Sequence, residues 1–420
     1  MLRAVKIRLY PTAFQTTQIN KLLGSCRVVY NQVLARKINQ YKEHNISENL
    51  TTLSYWLHHK LLNNPDFEYL KEQNTKVLNQ AINDMIIAYD RFFKLHTGYP
   101  KFKSKHNNKQ SCRFIRGAIS KMNVYTTYKL SLANIKNIKF RCNKKYAEYL
   151  QKNKANIRHA TLSKLPCGEY YLSILVDGDL THKGVKDTNN CIGIDLGVKD
   201  FVITSEGEVF NNLHFKKNET NKLKRLQKHL SRKVKGSNNR NKLRIKLAKV
   251  YKKINDKKQY YLHEVSNTLI NENQVICMEN LNVKGMLKNH KLAERISEMN
   301  FGEFKRMLEY KARWYNRKIV FVDRFYPSSK TCSCCGFKYK DLKLSDRFWT
   351  CPECNTYHDR DVNAAVNILN EGMRLVGSST TEFKLVDYPT MDDRSEMDLK
   401  SSDRVKQEVN KEQSTTLFKF

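Results

Sequence analysis

Four cysteines in the last third of the chain constrain its fold more than any other sequence feature. Cys332 and Cys335 form one C-x-x-C pair, Cys351 and Cys354 form a second, and 15 residues separate the pairs. Each pair can present two thiolates to one metal ion from a tight turn, and two pairs complete the tetrahedron that zinc prefers. The spacing therefore predicts a zinc ribbon over residues 332–355, and a saturated four-cysteine site predicts a structural zinc ion.

Two nearby residues leave the ligand set open. Cys334 is a surplus thiol that could compete with its neighbours, and His358 is a weaker alternative ligand. Free surface thiols are the competing interpretation of the whole cluster, but oxidation acts against such thiols. The chain has 11 cysteines, an odd number, and its first residues lack the apolar core of a signal peptide. These features favour a reducing compartment and a metal site over disulfides.

The charge of the chain limits its partners. Lys and Arg number 76 against 41 Asp and Glu, which gives a formal net charge of +35. A chain this basic repels itself unless it binds a polyanion, and the common polyanions are nucleic acid and anionic membrane. No apolar run approaches the roughly 18 residues of a spanning helix, so we expect nucleic acid as the partner and no membrane. The expected location is the cytoplasm, in association with the nucleoid, and the oligomeric state stays open.

The first 185 residues combine strand and helix patterns. Residues 4–10 alternate between apolar and polar side chains, which predicts a strand. Helical periodicity follows, most clearly from Leu78 to Tyr89, and strand patterns then return. This order predicts a β-barrel built from residues 1–12 and 113–185, with a helical domain of residues 13–112 inserted into it.

Two basic segments are candidates for nucleic-acid binding. Residues 99–105 mix lysines with aromatic side chains, which suits phosphate contact and base stacking, although a solvated loop fits equally well. Residues 215–258 carry 18 Lys or Arg and only two acids, and leucines at helical spacing predict a helical hairpin over residues 215–272. A cationic helix face is often only solvated, but this ratio favours phosphate contact. The candidate residues are Lys101, Lys103, Lys105, Arg232, Lys233, Lys235, Arg240 and Arg244.

Three acidic residues stand out by their context. Asp195 ends a predicted buried strand just before Gly197, Glu279 ends another, and Asp361 lies at the start of a predicted helix. A carboxylate at a buried strand end is costly to ionise unless a cation offsets it, and two-metal phosphodiester hydrolysis uses such a cluster. Each acid also has a local interpretation, as a turn residue, a strand-end cap or a helix cap. The spacing alone does not show that the three converge.

Several motifs resemble the TnpB family, the insertion-sequence proteins long labelled OrfB transposases and similar to ancestors of type V CRISPR nucleases. The matching segments follow the family order over about residues 1–373. They are Tyr10-Pro11, Cys26-Arg27-Val28-Val29-Tyr30-Asn31, Pro100-Lys101-Phe102-Lys103-Ser104-Lys105, Gly193-Ile194-Asp195-Leu196-Gly197, Leu230-Ser231-Arg232-Lys233 through Gly236-Ser237, Leu262-His263, Met278-Glu279-Asn280-Leu281, Ser329-Lys330-Thr331-Cys332-Ser333-Cys334-Cys335-Gly336 and Asp359-Arg360-Asp361-Val362-Asn363-Ala364-Ala365.

The resemblance implies a fold of the class α/β plus β-barrel, with an RNase H-like RuvC core. The core would comprise residues 190–331 and 356–373 and would contain both the basic hairpin and the inserted zinc ribbon. The N-terminal barrel and its helical insert would correspond to the family's wedge and recognition domains. Residues 374–420 contain many Ser and Thr and show no periodicity, so we expect a disordered tail there.

The resemblance also implies the catalytic residues. Asp195, Glu279 and Asp361 map onto the family's triad, which binds Mg²⁺ or Mn²⁺. Asp359 fits less well, because the family places its third acid two residues before an asparagine, here Asn363. After the fourth cysteine the family has glycine where this chain has asparagine, a residue that tolerates left-handed dihedrals.

The implied function is that of an RNA-guided, metal-dependent DNA endonuclease encoded by a transposable element. Its partners would be a guide RNA from the transposon end and double-stranded target DNA, which it would cut beside a short target-adjacent motif. One alternative is a nuclease-inactive, RNA-guided repressor, although all three acids are present. Another is an accessory DNA-binding protein of transposition. A strand transposase with a Tyr nucleophile would need a His-x-His metal pair, and none of the 12 histidines forms one.

Overall fold

The structure, a computed structural model, describes residues 2–106, 110–123, 128–178, 188–215, 217–289, 293–343 and 345–377. Within these ranges the chain forms two compact units. The first comprises residues 1–187 and 213–271, and the second comprises residues 188–212 and 272–420. Nearly all of the basic hairpin, which the resemblance assigned to the nuclease core, therefore groups with the first unit.

An antiparallel sheet of seven strands forms the centre of the first unit. Its strands are β1 (Leu2–Tyr10), β2 (Gln110–Ile115), β3 (Ile119–Asn123), β4 (Lys129–Leu132), β5 (Ile135–Arg141), β6 (Ile157–Lys164) and β7 (Tyr170–Asp177). Val5, Ile7 and Leu9 are buried and alternate with more exposed residues, which confirms the predicted strand. The strand order β2-β6-β7-β1-β5-β4-β3 leaves β2 and β3 as edges. Among the described residues the sheet is thus a half-barrel, which matches the predicted β-barrel in part.

Helices between β1 and β2 form an insert, as the sequence predicted. They are α1 (Ala13–His44), α2 (Leu50–Trp56) and α3 (Thr75–Leu95), with a π-helical turn at Leu57–Leu61 and a 3-10 helix at Pro65–Glu72, while α4 (Lys144–Lys152) follows β5. A capping box begins α1. The Thr12 hydroxyl accepts from the backbone N–H of Gln15, and the side-chain carbonyl of Gln15 accepts from the backbone N–H of Thr12. Leu78, Ile82 and Met85 share the buried face of α3, which confirms the predicted periodicity.

The basic segment forms two helices joined by a turn. They are α5 (Thr220–Ser231) and α6 (Asn238–Glu272). Gly236 lies in the turn with a φ of +86°, a left-handed conformation that favours glycine. The Arg240 guanidinium donates to the carbonyls of Leu230 and Lys233 at 2.6 and 3.1 Å, so it closes the end of α5. The helical hairpin is confirmed, and Arg240 helps to build its turn.

A mixed five-stranded sheet forms the centre of the second unit. Its strands are β8 (Cys191–Asp195), β9 (Asp200–Thr204), β10 (Val209–Asn211), β11 (Val275–Glu279) and β12 (Lys318–Val322), in the order β10-β9-β8-β11-β12. The first three strands form the predicted antiparallel meander. Strands β11 and β12 are parallel to β8 and to each other. Parallel pairing brings the carboxyl ends of β8 and β11 to the same edge of the sheet.

The other elements that the structure describes in the second unit are four α-helices, a short 3-10 helix (Ser328–Lys330) and a two-stranded hairpin. They are α7 (Val283–Met286), α8 (Ala293–Met299), α9 (Phe301–Tyr315), β13 (Phe348–Thr350), β14 (Tyr357–Asp359) and α10 (Arg360–Gly377). Helix α10 continues past residue 374, where the tail was predicted to begin, and residues 378–420 lie outside the described residues. None of the described helices has the length and apolar character needed to cross a membrane.

Helix α10 lies directly against the sheet because two glycines allow a close approach. A Cβ added to Gly193 of β8 would lie 2.1 Å from the Ala365 carbonyl oxygen. A Cβ added to Gly372 of α10 would lie 2.3 Å from the Cys277 sulfur of β11. Both distances are far inside van der Waals contact, so any larger residue would push the helix away from the strands. The first turn of α10 is thereby held near the ends of β8 and β11.

Candidate functional site

The three predicted catalytic acids lie at one edge of the mixed sheet. Asp195 is the last residue of β8 and Glu279 is the last residue of β11. The two strands are in parallel register up to Ile194 and Met278, so the acids follow side by side. Asp361 stands in the first turn of α10, the helix that packs on these strands. The fold therefore brings together three residues that lie far apart in sequence.

The charges of Glu279 and Asp361 act on Asp195, although the three acids do not form a group whose oxygens all lie within 4.8 Å of one another. Burial, together with the charges of Glu279 and Asp361, raises the pKa of Asp195 to about 7. Burial also raises the pKa of Glu279, and a hydrogen bond from Ser328 opposes that rise. Carboxylates that disfavour each other's charge are typical of a divalent-cation site, because a cation offsets both burial and repulsion.

Asp361 has a local partner in this structure. Its Oδ2 lies 2.5 Å from Nη1 of Arg347, and the two side chains are 24% and 46% exposed. Asp359 instead caps the helix, because its Oδ1 accepts from the backbone N–H of Asp361 and Val362 at 2.9 and 3.1 Å. Asp359, and not Asp361, is therefore the residue that caps α10. The carboxylate of Asp361 pairs with Arg347.

The four predicted zinc ligands form one cluster. Among the described residues, only Cys332, Cys335, Cys351 and Cys354 form a group of three or more such ligands whose ligand atoms all lie within 4.8 Å of one another. Two of their sulfur–sulfur distances, Cys332–Cys354 and Cys335–Cys351, are 3.6 Å. Four Zn–S bonds of about 2.3 Å in a tetrahedron would separate neighbouring sulfurs by about 3.8 Å. The donor set and its spacing thus fit a structural zinc ion.

The two cysteine turns share one backbone geometry. Gly336 follows the first pair with a φ of +79°, and Asn355 follows the second with a φ of +57°. The asparagine adopts the left-handed conformation expected at this position, so the departure from the family's glycine leaves the turn intact. Hydrogen bonds from the hydroxyl and the backbone N–H of Thr356 lower the pKa of the Cys354 thiol to about 6. A thiolate is therefore favoured there near neutral pH.

The alternative ligands lie outside the four-cysteine group. Cys334 is exposed and is absent from the cluster. His358 is buried, and its Nε2 lies 3.0 Å from the Cys332 sulfur, while its ring packs 4.8 Å from the ring of Trp349. His358 thus contacts a ligand sulfur as a hydrogen-bonding partner, which is the position of residues that orient metal ligands.

Buried polar side chains, which sequence reasoning missed, join the cysteine cluster to the acids. Asn363 Oδ1 accepts from the backbone N–H of Ser333 at 2.9 Å, and its Nδ2 donates to the Thr331 carbonyl at 2.7 Å. Asn367 Nδ2 donates to the carbonyls of Thr331 and Ser328 at 2.6 and 2.8 Å. The two asparagines are four residues apart on the face of α10 that also buries Ala364 and Ile368. This helical spacing was the sequence signal that could have indicated their buried position.

The predicted nucleic-acid-binding residues divide into two groups. Most of them are exposed: Lys101, Lys105, Arg232, Lys233, Lys235 and Arg244. Lys103 turns inward, since its ammonium lies 3.7 Å from the centre of the Tyr30 ring and its backbone exchanges two hydrogen bonds with the Asn31 side chain. Arg240 is used in the hairpin turn. Lys103 and Arg240 therefore have structural contacts that the sequence did not reveal.

Three family models match separate parts of the chain. Residues 1–45 match the OrfB IS605 helix-turn-helix domain, and residues 173–290 match the OrfB IS605 model described as a "probable transposase". Residues 301–368 match the Cas12f1-like TNB domain. This last range contains the cysteine cluster, Asp361 and the two buried asparagines.

Two solved structures share the fold. The Cas12f1–sgRNA–target DNA complex has a TM-score of 0.55 at 14% identity and covers 88% of this chain and 99% of the solved one. The mini RNA-guided endonuclease CRISPR-Cas phi3 has a TM-score of 0.51 at 9% identity and covers 88% and 92%. At such low identity the likeness concerns the fold alone, which is a mixed α/β fold of the Cas12f type.

Two curated relatives match over most of their length, and a third matches over less than half. A protein of Streptomyces pristinaespiralis, named as an RNA-guided DNA endonuclease, is 34% identical over 376 residues, or 88% of this chain and 89% of the relative. InsQ of Escherichia coli K12, which carries the same description, is 28% identical over 387 residues, or 88% and 92%. TnpB-like protein L79 of Acanthamoeba polyphaga mimivirus is 32% identical over 203 residues, or 45% and 38%. Because the Streptomyces relative is 34% identical over 88% of this chain and 89% of its own length, the chain belongs to the TnpB family of OrfB-type insertion-sequence proteins.

Proposed function

We propose that this protein is an RNA-guided DNA endonuclease of an IS605-type transposable element and that it cuts DNA beside a short target-adjacent motif. The observation that carries the proposal is the edge of the mixed sheet, where Asp195, Glu279 and Asp361 lie within electrostatic reach of one another. The names of two full-length relatives supply the reaction class. A buried carboxyl whose charge is opposed by two further acids is typical of a catalytic cation site and is not needed for binding alone, which supports a nuclease over a binding protein.

In this proposal the three acids hold Mg²⁺ or Mn²⁺. The ions, when bound, supply an activated water and stabilise the leaving oxygen of the phosphodiester. The chain's own residues position the carboxylates: Ser328 orients Glu279 by donating to it, and the cap from Asp359 fixes the first turn of α10. Arg347 holds Asp361 by an ion pair.

The cysteine cluster holds a structural zinc ion. A four-cysteine site leaves no coordination position open, so zinc would take no part in the reaction. Its role would be to fold the ribbon, a segment too short to build an apolar core of its own. Because the first cysteine turn is bonded to Asn363 of α10, a folded ribbon also fixes the helix that carries Asp361.

The nucleic-acid partners follow from the family and the charge. The guide RNA would come from the transposon end, and base pairing would select the target DNA. Exposed cations on the hairpin turn, Arg232, Lys233 and Lys235, suit phosphate contact, as do Lys101 and Lys105. Lys103 and Arg240 would stabilise these segments through their contacts with the Tyr30 ring and the Leu230 carbonyl, and they would not bind phosphate themselves.

The decisive experiment uses the full-length protein purified together with the RNA that it retains. That RNA is sequenced, and a matching target is placed beside a randomised flank in a plasmid library. We expect linearisation only of matched plasmids, with one short flanking motif depleted from the library. Matched plasmid that is bound but never cut would instead support the repressor. Cutting that ignores the RNA sequence would refute guidance by RNA.

A further inference from the structure

Two buried cysteines from distant parts of the chain meet in the first unit. Cys26 lies on α1 and Cys112 on β2, and they are 5% and 3% exposed. A hydrogen bond with Cys26, together with burial, raises the pKa of the Cys112 thiol well above its usual range. The two thiols are therefore in direct contact, although α1 begins the helical insert and β2 follows its end.

A cavity of about 130 Å³ lies beside the two thiols. Both cysteines line it, together with Ser104 and Ser111, which are exposed, so small solutes can enter from the surface. A water molecule needs roughly 10–15 Å³ of such space. Hydrogen peroxide has only one more oxygen atom than water and therefore fits.

Charged side chains line the same cavity. Burial lowers the pKa of Lys103, and the charges of Asp84 and of both cysteines oppose that change. The Lys103 ammonium thus lies within electrostatic reach of both sulfurs. Asp84 in turn forms an ion pair of 3.5 Å with Arg113. An ammonium in this position stabilises a thiolate, which is the reactive form of cysteine.

Space filling alone does not explain this arrangement. A cysteine that only fills a core behaves as a small apolar side chain among others, and Cys277 of β11 belongs to such an apolar cluster. Cys26 and Cys112 instead contact each other and border a cavity that three charged side chains also line. A disulfide requires the two sulfurs to approach to about 2.05 Å, and the open space beside them lets the side chains rotate.

We propose that Cys26 and Cys112 form a redox-active pair that hydrogen peroxide converts into a disulfide. The proposal concerns a site outside the nuclease core and does not depend on the proposed function. In a reducing compartment, which the cysteine pattern favours, the two free thiols are the resting form. The disulfide then forms only during oxidation and is removed again by thiol exchange.

The reaction has two steps. The Cys26 thiolate attacks one peroxide oxygen, the O–O bond breaks, and the leaving hydroxide takes up the Cys26 proton to become water. Cys112 keeps its proton during this step because its hydrogen bond favours the thiol. Its sulfur then attacks the sulfenic acid at Cys26, the S–S bond forms, the S–O bond breaks, and the Cys112 proton leaves in a second water. Two thiols and one peroxide thus give one disulfide and two waters.

The disulfide would join the first helix of the insert to an edge strand of the seven-stranded sheet. The bond therefore closes the insert into one covalent loop. Because such a loop restricts the unfolded chain, we expect the unfolding temperature of the first unit to rise by about 4–16 °C on oxidation.

The first test maps the thiols of the full-length protein with its retained RNA. After treatment with hydrogen peroxide the protein is unfolded in N-ethylmaleimide and digested without a reductant, and the peptides are identified by mass spectrometry. We expect a disulfide-linked pair of peptides that contain Cys26 and Cys112 and that dithiothreitol separates. Maleimide on both cysteines, at a peroxide dose that oxidises the exposed Met373, would overturn the proposal.

The second test measures stability before and after peroxide. The unmodified protein is compared with Cys26→Ala, and with Cys112→Val if the first variant does not fold. Samples of equal zinc content are compared, since peroxide also oxidises metal-binding thiols. Cys167→Ala is the matched control, because Cys167 is 4% exposed in the same unit and lies outside the cavity.

We expect the unfolding temperature to rise in the unmodified protein and in Cys167→Ala, and to stay constant in the variants that lack one member of the pair. An equal response of the unmodified protein and Cys26→Ala would overturn the proposal. The order of the two steps is tested in Cys112→Val, where the sulfenic acid at Cys26 has no partner and should be trapped by dimedone. Absence of dimedone from Cys26 would contradict the assignment of Cys26 as the attacking thiolate.

Discussion

The hydroxyl of Ser328 donates a hydrogen bond of 2.6 Å to Oε1 of Glu279. Ser328 is buried, and its carbonyl accepts from Asn367 of α10. Asn367 also donates to Thr331, the residue before the first cysteine of the cluster. A continuous set of hydrogen bonds therefore joins one predicted catalytic acid to the proposed zinc site, and each of its members can be tested.

Replacing Ser328 with alanine should slow DNA cutting while zinc stays bound. The hydrogen bond reaches a carboxylate, and such bonds contribute about 1.5–3 kcal/mol. Without this hydrogen bond the Glu279 carboxylate is less well oriented, so the cutting rate should fall about 10- to 100-fold. The rate is measured on a matched plasmid, with zinc quantified in the same sample. Ser329→Ala, one residue away, is the control and should cut normally; an equal rate for Ser328→Ala would contradict the role given to its hydroxyl.

Replacing Asn367 with alanine should destabilise the second unit. The change leaves the Ser328 carbonyl without its donor from Asn367, at a cost of about 1–3 kcal/mol for an unsatisfied buried group, while the Thr331 carbonyl keeps its hydrogen bond from Asn363. Thermal unfolding should therefore begin at a lower temperature than in the unmodified protein. Asn370→Ala provides the control on the same helix, because Asn370 is exposed. Equal melting temperatures for the two variants would argue against the hydrogen-bond network.

Replacing Cys351 with serine should remove zinc and abolish cutting together. Asp361 stands only seven residues beyond Cys354, and the first cysteine turn is bonded to Asn363 of the same helix. Loss of the metal should therefore displace Asp361. Metal content and cutting rate are measured on one preparation, with Cys334→Ser as the control, since Cys334 lies outside the cluster. A Cys351→Ser protein that lacks zinc and still cuts normally would disprove the coupling.

The pKa of Asp195, raised to about 7, predicts a pH dependence of stability in the absence of Mg²⁺ and Mn²⁺. The unfolded chain releases this proton near pH 4, whereas the folded protein holds it until about pH 7. The contribution of Asp195 to stability is therefore fully present below pH 4 and is lost as the pH rises to about 7, by at most about 4 kcal/mol. Thermal unfolding of the zinc-loaded protein and of zinc-loaded Asp195→Asn, both without Mg²⁺ or Mn²⁺, is compared from pH 4 to pH 8. The variant should become the more stable of the two as the pH rises; parallel curves would contradict the shift.

Sequence predicted the second unit well where side chains follow a short local pattern. A short buried segment that runs into a glycine turn predicted the strand that ends at Asp195, and C-x-x-C spacing predicted the cysteine cluster. The left-handed conformation of Asn355 was expected from its side chain. Convergence of the acids came from the family resemblance, because parallel pairing of β8 with β11 is a long-range contact that no local pattern encodes.

Other features depend on neighbours that the sequence does not identify. Lys103 lies between Lys101 and Lys105 in one segment of lysines and aromatic residues, yet only the sequence neighbours remain exposed, while the ammonium of Lys103 packs over the Tyr30 ring. The half-barrel has two free edges among the described strands because closure depends on strand order, which alternation does not determine. The ion pair of Arg347 with Asp361 joins residues 14 positions apart, and it needs the hairpin between them to be folded.

Cutting of a matched plasmid by the RNA-loaded protein and by its Asp195→Ala variant, both in Mg²⁺, tests the central claim most directly. The carboxylates of Asp195, Glu279 and Asp361 are proposed to form one metal site, so loss of the first should stop DNA cutting. We expect the unmodified protein to linearise the plasmid, and we expect Asp195→Ala to retain its RNA, bind the plasmid and leave it intact. A variant that retains normal cutting would show that the edge of the mixed sheet is not the active site.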